Sequence, residues 1–277
     1  KFALKIMKEN KIVKTVLEKV GKFKGRLRKI ETRYVSGEKT KEVLYRENGC
    51  VFRFNIDTTY FSPRLSNERN EVAKMIKRDE NVLVMFGGVA PFSIVIAKNS
   101  KCKKVVSVEL NREATKYAKQ NVELNNLKNK VEVVQGDVKR FAGKFSGKVP
   151  LPKSSNSRPH FAAIARRSPN VKSLTHPKSN GSKLLGLPKT YDVIVMARPQ
   201  LKETFLKDAF ALSKGGKKGT RIFYYDFCDR EGINEVVEKI KKEAKLAKKK
   251  IKILKIKNAG EIAPYRIRVR VDFKVIP

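Results

Sequence analysis

Three groups of residues in the middle of the chain have the types and spacing of a nucleoside site. Gly87-Gly88 follows the apolar run VLVMF, Glu109 closes KVVSVE, and Gly136-Asp137 closes KVEVVQ. Glycines at the end of a first strand let a ligand approach the backbone, and an acidic side chain about 20 residues further on can accept hydrogen bonds from both hydroxyls of a ribose. A second carboxylate at the same edge, Asp137, can meet an adenine amino group. The loop is not GxGxxG and has no lysine of a phosphate-binding loop, so a dinucleotide or a nucleoside triphosphate fits poorly. An adenosine compound without phosphates fits better. S-adenosylmethionine is such a compound, and its methionine end would lie over Gly87, Gly88 and Val89. Read alone, FGGVAPF has a ligand-free explanation: a tight strand-to-helix turn with Pro91 in the first helical turn.

The elements that would position these groups alternate. A helix is expected from Asn67 to Lys77, followed by the strand VLVMF, the helix PFSIVIAK, the strand KVVSVEL, the helix REATKYAKQNVELN and the strand KVEVVQGD. The pattern resumes with YDVIVM, the helix LKETFLKDAFALS, the strand TRIFYYDF, a Lys-rich helix from about Glu231 to Lys250, the strand IKILKIK and a last alternating strand, RIRVRVDFKV. Such alternation predicts an α/β fold with a doubly wound, mostly parallel sheet. Ahead of it, residues 11–20 carry apolar side chains at helical spacing, and IETRYVSGEKTKEVLYRENGCVFRFNI predicts three short strands. The expected division is a small N-terminal α+β domain over 1–57 and a larger domain over 58–277.

With 64 Lys+Arg against 27 Asp+Glu, the net charge is +37, which works against compactness and suits a polyanionic partner such as RNA. No apolar run reaches the roughly 20 residues needed to cross a membrane. Cys50, Cys102 and Cys228 are widely spaced and not in CxxC pairs, predicting reduced thiols, no metal site and a cytoplasmic setting. From Phe141 to Thr190 there are ten Lys/Arg and no acidic residue among repeated Pro, Ser, Asn and Gly. This predicts an insertion over about 142–189, either a solvated loop or a tether for RNA phosphates. Both histidines, His160 and His176, lie in it, so the core offers no imidazole for acid–base chemistry.

YFSPRLSNERNEV (60–72), MFGGVAPFSI (85–94), VVSVELNREATKYAKQNVELN (105–125), VVQGDV (133–138) and VRVDFKV together resemble the archaeal and eukaryotic tRNA (guanine-N1)-methyltransferases that act 3′ of the anticodon. The resemblance covers nearly the whole chain outside the insertion, and relative to that family the chain is expected to begin at the second domain. It implies a Rossmann-like class I methyltransferase, S-adenosylmethionine as cofactor, tRNA as partner, and a monomer. Glu68 matches the family's general base and Arg28 an arginine that polarises guanine O6. That pairing suits the chemistry, because guanine N1 keeps its proton at neutral pH and charge develops on O6 during transfer. Glu68 also has a structural reading, as a carboxylate in the first turn of a helix beside Arg64 or Arg69. The resemblance extends the cofactor set to Arg69, Phe86, Pro91, Phe92, Leu110, Asn111, Val138 and Ala197, and the substrate set to Tyr60, Arg64, Arg198 and Pro199.

One departure concerns the base pocket. Where the family has Asn-x-Pro after the fourth strand, this chain reads Ala197-Arg198-Pro199 and lacks the amide. A changed pocket is consistent with a second activity of an archaeal branch, methylation of carbon 7 of a wyosine precursor. The related aminocarboxypropyl transferases and a non-catalytic RNA-binding protein on the same scaffold are the alternatives.

Overall fold

The computed structural model describes residues 2–25, 27–145, 186–197, 203–216 and 218–277. The bulk of the insertion with His160 and His176, and the substrate candidates Arg198 and Pro199, lie outside the described residues.

The body is a seven-stranded sheet. In chain order its elements are α2 (Ser66–Met75), β5 (Asn81–Met85), α3 (Pro91–Asn99), β6 (Lys104–Glu109), α4 (Arg112–Leu124), β7 (Val131–Gln135), α5 (Val138–Phe145), β8 (Val193–Met196), α6 (Leu206–Ala211), β9 (Thr220–Asp229), α7 (Ile233–Leu246), β10 (Lys250–Ala263) and β11 (Arg266–Ile276). The strand order is β10-β11-β9-β8-β5-β6-β7. β7, β6, β5, β8 and β9 run parallel, and β11 and β10 close one edge antiparallel.

Strand alternation divides the core in two. Val82 and Val84 of β5, Val193 and Val195 of β8 and Phe223 of β9 face α2, α3 and α4. Their neighbours Leu83, Met85, Ile194, Met196 and Ile222 face α5, α6 and α7. Both faces of the central strands are covered, which is why they read as unbroken apolar runs. The connections leave β5 and β8 in opposite directions along the sheet, and at such a switch point a crevice opens beyond the strands' carboxyl ends.

Ahead of the body come α1 (Phe2–Glu9), the antiparallel pair β1 (Thr15–Lys24) and β2 (Lys29–Gly37), and the hairpin β3 (Glu42–Glu47) and β4 (Cys50–Asn55). The three strands expected between 30 and 56 are present, as β2, β3 and β4. The helix expected over 11–20 is not: that segment enters β1, and the helix lies before it. Val16 and Val20 are β-branched and stiff at χ1, and pairing with β2 outweighs the helical spacing. The β3–β4 hairpin packs on the body, with Cys50, Phe52 and Phe54 in the core shared with α2, α3 and α4.

Two further boundaries move. α5 runs to Phe145 with Phe141 and Ala142 buried, so core structure continues past the expected start of the insertion. Val138, Phe141, Ala142 and Phe145 have the i, i+3, i+4, i+7 spacing that explains it. The helix expected across LKETFLKDAFALS is confined to α6, because Phe205 sits at φ 58° just before it.

Candidate active site

The crevice at the switch point has a floor made by three strand ends. After β5 the chain turns through Phe86, Gly88 and Ala90, all at positive φ (62°, 57° and 68°). Gly87 is needed for a different reason: a Cβ there would stand 2.2 Å from Ser107 Oγ on β6. The turn is thus drawn tight against the neighbouring strand, and the Gly88 N–H donates to Glu109 Oε2 at 2.8 Å. Glu109 Oε1 accepts from the Asn111 N–H at 2.7 Å, and Asn111 caps α4 through Glu113 N. Burial pushes the Glu109 carboxyl above the usual carboxylate range, against the lowering effect of these backbone bonds. Asp137 stands at the end of β7, next along the sheet from β6, with Oδ1 accepting from Lys139 N at 2.8 Å.

The opposite wall comes from both ends of the chain. Arg28, at φ 51° in the turn between β1 and β2, places its guanidinium 4.2 Å from the centre of the Tyr60 ring. Arg268, on β11 and only 9% exposed, lies over Phe227 with its guanidinium 5.3 Å from the ring centre and borders the same cleft as Tyr60. Of the residues expected from sequence, Arg28, Tyr60, Phe86, Gly88, Glu109, Leu110, Asn111, Asp137, Val138 and Ala197 line one cleft. Leu27, Leu65, Tyr225, Phe227 and Arg268 line it too and were not expected. For the arginine a signal existed: RIRVRVD alternates, putting Arg266, Arg268 and Arg270 on one face of β11, while Val269 and Val271 pack on the α7 side.

Other candidates stand outside the lining. Gly87, Val89, Pro91 and Phe92 shape the turn and the start of α3 behind the cleft; Val89 and Phe92 are core residues. Arg69 is 1% exposed and held by Glu47 through two hydrogen bonds and by the Ser62 carbonyl at 3.0 Å. It clamps the β3–β4 hairpin to α2 rather than reaching into the cleft. Arg64 is exposed, in a 3-10 turn at Pro63–Leu65.

Glu68 is also set back. Its carboxylate accepts from Arg270 Nη1 at 2.6 Å and from the Tyr225 hydroxyl at 3.1 Å, with Lys257 Nζ 2.7 Å from the other oxygen. Arg270 further bonds Glu71 at 2.8 Å and Asp272 at 2.8 Å, and Lys255 bonds Glu71 at 3.2 Å. Three carboxylates thus meet three cations behind the cleft wall, so no charge in the cluster is left uncompensated. Tyr225 belongs both to this cluster and to the cleft.

A five-stranded parallel run closed by an antiparallel pair, with an acidic residue after the second strand and a glycine turn after the first, defines a Rossmann-like class I methyltransferase. A glycine-shaped turn, a carboxylate bonded to it and a second one a strand away fit the adenosine end of S-adenosylmethionine. The profile of the TRM5/TYW2 methyltransferase domain matches residues 43–165. A relative from Nanoarchaeum equitans, the tRNA (guanine(37)-N(1))/4-demethylwyosine(37)-methyltransferase Taw22, is 30% identical over 100% of this chain and 93% of its own length. The chain belongs to the TRM5/TYW2 methyltransferase family. It is also 40% identical, over 47% of its length and 38% of the relative's, to the tRNA (guanine(37)-N(1))-methyltransferase Trm5b of Pyrococcus abyssi. The crystal structure of Pyrococcus abyssi Trm5b superposes with a TM-score of 0.71 at 27% identity, covering 98% of this chain and 67% of that one.

Proposed function

We propose that the protein is an S-adenosylmethionine-dependent tRNA methyltransferase that methylates guanine N1 at the position 3′ of the anticodon. The observation that carries this reading is the cleft itself, which joins Glu109 and Asp137 on one side to Arg28, Tyr60 and Arg268 on the other. Glu109 would hold the ribose hydroxyls, Asp137 the adenine amino group, and Phe86, Leu110 and Val138 the faces of the base. When bound, the cofactor supplies an electrophilic methyl group.

Arg28 and Arg268 give the facing wall two cations for charge that grows on guanine O6, and the Tyr60 ring lies against the Arg28 guanidinium. Glu68 is the acceptor for the N1 proton. A net charge of +37 supports a tRNA substrate through phosphate neutralisation, and a tRNA substrate implies a cytoplasmic setting. We assign residues 1–57 to a unit that completes the cleft through Arg28, and take a single chain as the working form.

A second activity, methylation of carbon 7 of 4-demethylwyosine, is favoured by the double name of the Nanoarchaeum relative and by Ala197, which leaves the pocket without the amide expected there. Mass spectrometry of nucleosides from a tRNA transcript incubated with protein and S-adenosylmethionine tests the first activity, and the same assay on tRNA that carries 4-demethylwyosine tests the second. N1-methylguanosine is the expected product, and an aminocarboxypropyl adduct or no product would overturn the reading.

A further inference from the structure

The acceptor named for the guanine proton does not border the cleft where the guanine must sit. Glu68 is 5% exposed and sits behind the wall, while the side chain between it and the cleft is Tyr225, 2% exposed, whose hydroxyl donates to Glu68 Oε2 at 3.1 Å. Tyr225 reaches this position from β9, its ring against Phe92 of α3 at 5.7 Å. Its charge environment extends to Arg268 on the cleft side and to Arg270 on the cluster side. We propose that Tyr225 is a catalytic relay, passing the N1 proton of guanine to Glu68 in step with methyl transfer. This rests on the function proposed above and deepens it.

The step balances. Guanine N1 bonds to the methyl carbon as the carbon–sulfur bond breaks, with that electron pair going to sulfur. The N1 proton moves to Tyr225 Oη, and the proton Tyr225 held moves to Glu68 Oε2. The products are N1-methylguanine, a neutral thioether, an unchanged tyrosine and a protonated Glu68. Tyrosine suits the role because it donates and accepts through one oxygen. Burial, and then the charge of Glu68, push its hydroxyl well above the ordinary tyrosine range, so it works as a hydroxyl and not as a phenolate.

The cluster explains why a relay is needed. Glu68 is pinned by Arg270 and Lys257, so it cannot swing into the cleft without leaving the buried Arg270 and the partly buried Lys257 each short of a partner. A carboxylate suffices as the final acceptor, because the N1 proton becomes acidic once the new N–C bond begins to form, and it need only be accepted in concert.

Tyr225→Phe keeps the ring and removes the oxygen. Single-turnover N1 methylation is expected to fall about 100-fold or more, while dissociation constants for S-adenosylmethionine and tRNA, measured by titration, stay within about twofold of wild type. Tyr225→Phe combined with Glu68→Gln is expected to be no slower than Glu68→Gln alone, since both changes break one chain. For the unaltered protein, rates in mixtures of light and heavy water are expected to curve with deuterium fraction, as two protons in flight require. Near wild-type rates for Tyr225→Phe, losses that multiply in the double variant, or a linear dependence on deuterium in the unaltered protein would each overturn the relay. An unaltered protein that makes no N1-methylguanosine would overturn the underlying function instead, and the relay with it.

Discussion

The Glu68 carboxylate and the Arg270 guanidinium meet at 2.6 Å although 202 residues separate them in sequence. Their side chains are 6% and 0% exposed. This pair binds the first helix of the methyltransferase body to its last strand, and Arg270 carries Glu71 and Asp272 as well. Arg270→Met would leave three carboxylates facing the core with two lysines at the rim. Such uncompensated burial costs about 3–5 kcal/mol, read as a lower urea midpoint; a midpoint within error of wild type would show the cluster to be dispensable. Glu68→Gln, which still accepts from Tyr225 and Arg270, is expected to cost less stability, and to slow N1 methylation by about 10²–10⁴-fold.

Stability should also depend on pH through Glu71. Its hydrogen bond to Arg270, with those to Lys257 and Lys255, holds the carboxyl at about 2, against an ordinary value of 4.5. The folded state therefore binds this proton less readily than the unfolded chain, so the contribution is complete above about pH 4.5 and is lost as pH falls toward 2. Urea unfolding of Glu71→Gln should show a shallower loss across that window than wild type. Parallel curves would remove Glu71 as the cause.

Glu109 shifts the other way. Burial raises its carboxyl, and ribose hydroxyls bond best to the ionised form. Affinity for S-adenosylmethionine should thus weaken as pH falls, beginning above the usual carboxylate range. Glu109→Gln should bind more weakly by about 1.5–3 kcal/mol, the worth of a hydrogen bond to a charged group, and without that pH dependence. Calorimetric titration at several pH values decides it; an unchanged affinity in a folded variant would take Glu109 out of the site.

Gly87 offers a paired test. In Gly87→Ala the new Cβ meets Ser107 Oγ at 2.2 Å, whereas Ser107 Cβ is at 3.5 Å, an ordinary contact. Overpacking of this kind costs about 1–3 kcal/mol. Ser107 Oγ is buried with no hydrogen-bond partner among the described residues, so Ser107→Ala forfeits no bond seen there. The double variant Gly87→Ala/Ser107→Ala should recover most of the loss; no recovery would place the strain in the backbone turn.

The floor of the cleft was legible in the sequence because each strand end carries its own candidate residue, and the order glycine, Glu109, Asp137 survives unaltered from chain to sheet. Arg28 and Tyr60 were reachable only through the resemblance, since nothing local marks them. Tyr225 and Arg268 were missed for a topological reason: β9 and β11 bring them beside Glu68 and Arg28 across most of the chain. Glu68 itself was found, but not its confinement, because Lys257 and Arg270 come from β10 and β11. Residues 11–20 failed differently, an apolar spacing that suits a helix being overruled by pairing between β1 and β2.

Asn121 of α4 and Asn125, which caps its C-terminus, complete the picture of how the N-terminal strands are held. Asn121 Oδ1 accepts from Arg53 N at 2.7 Å while its Nδ2 donates to Arg53 O and Val89 O; Asn125 pairs in the same way with both backbone groups of Val51. Side-chain amides thus take the place of a neighbouring strand along β4. The amide protons of Val51 and Arg53 are then shielded by a helix of the cofactor-binding body, and should exchange with solvent only when that body opens as a whole. β1 and β2 have no such brace among the described contacts with α4, so their amides should exchange sooner. The cleft is expected to gain and lose Arg28 by local breathing of that hairpin, on a faster clock than any opening of the floor made by the strand ends of β5, β6 and β7.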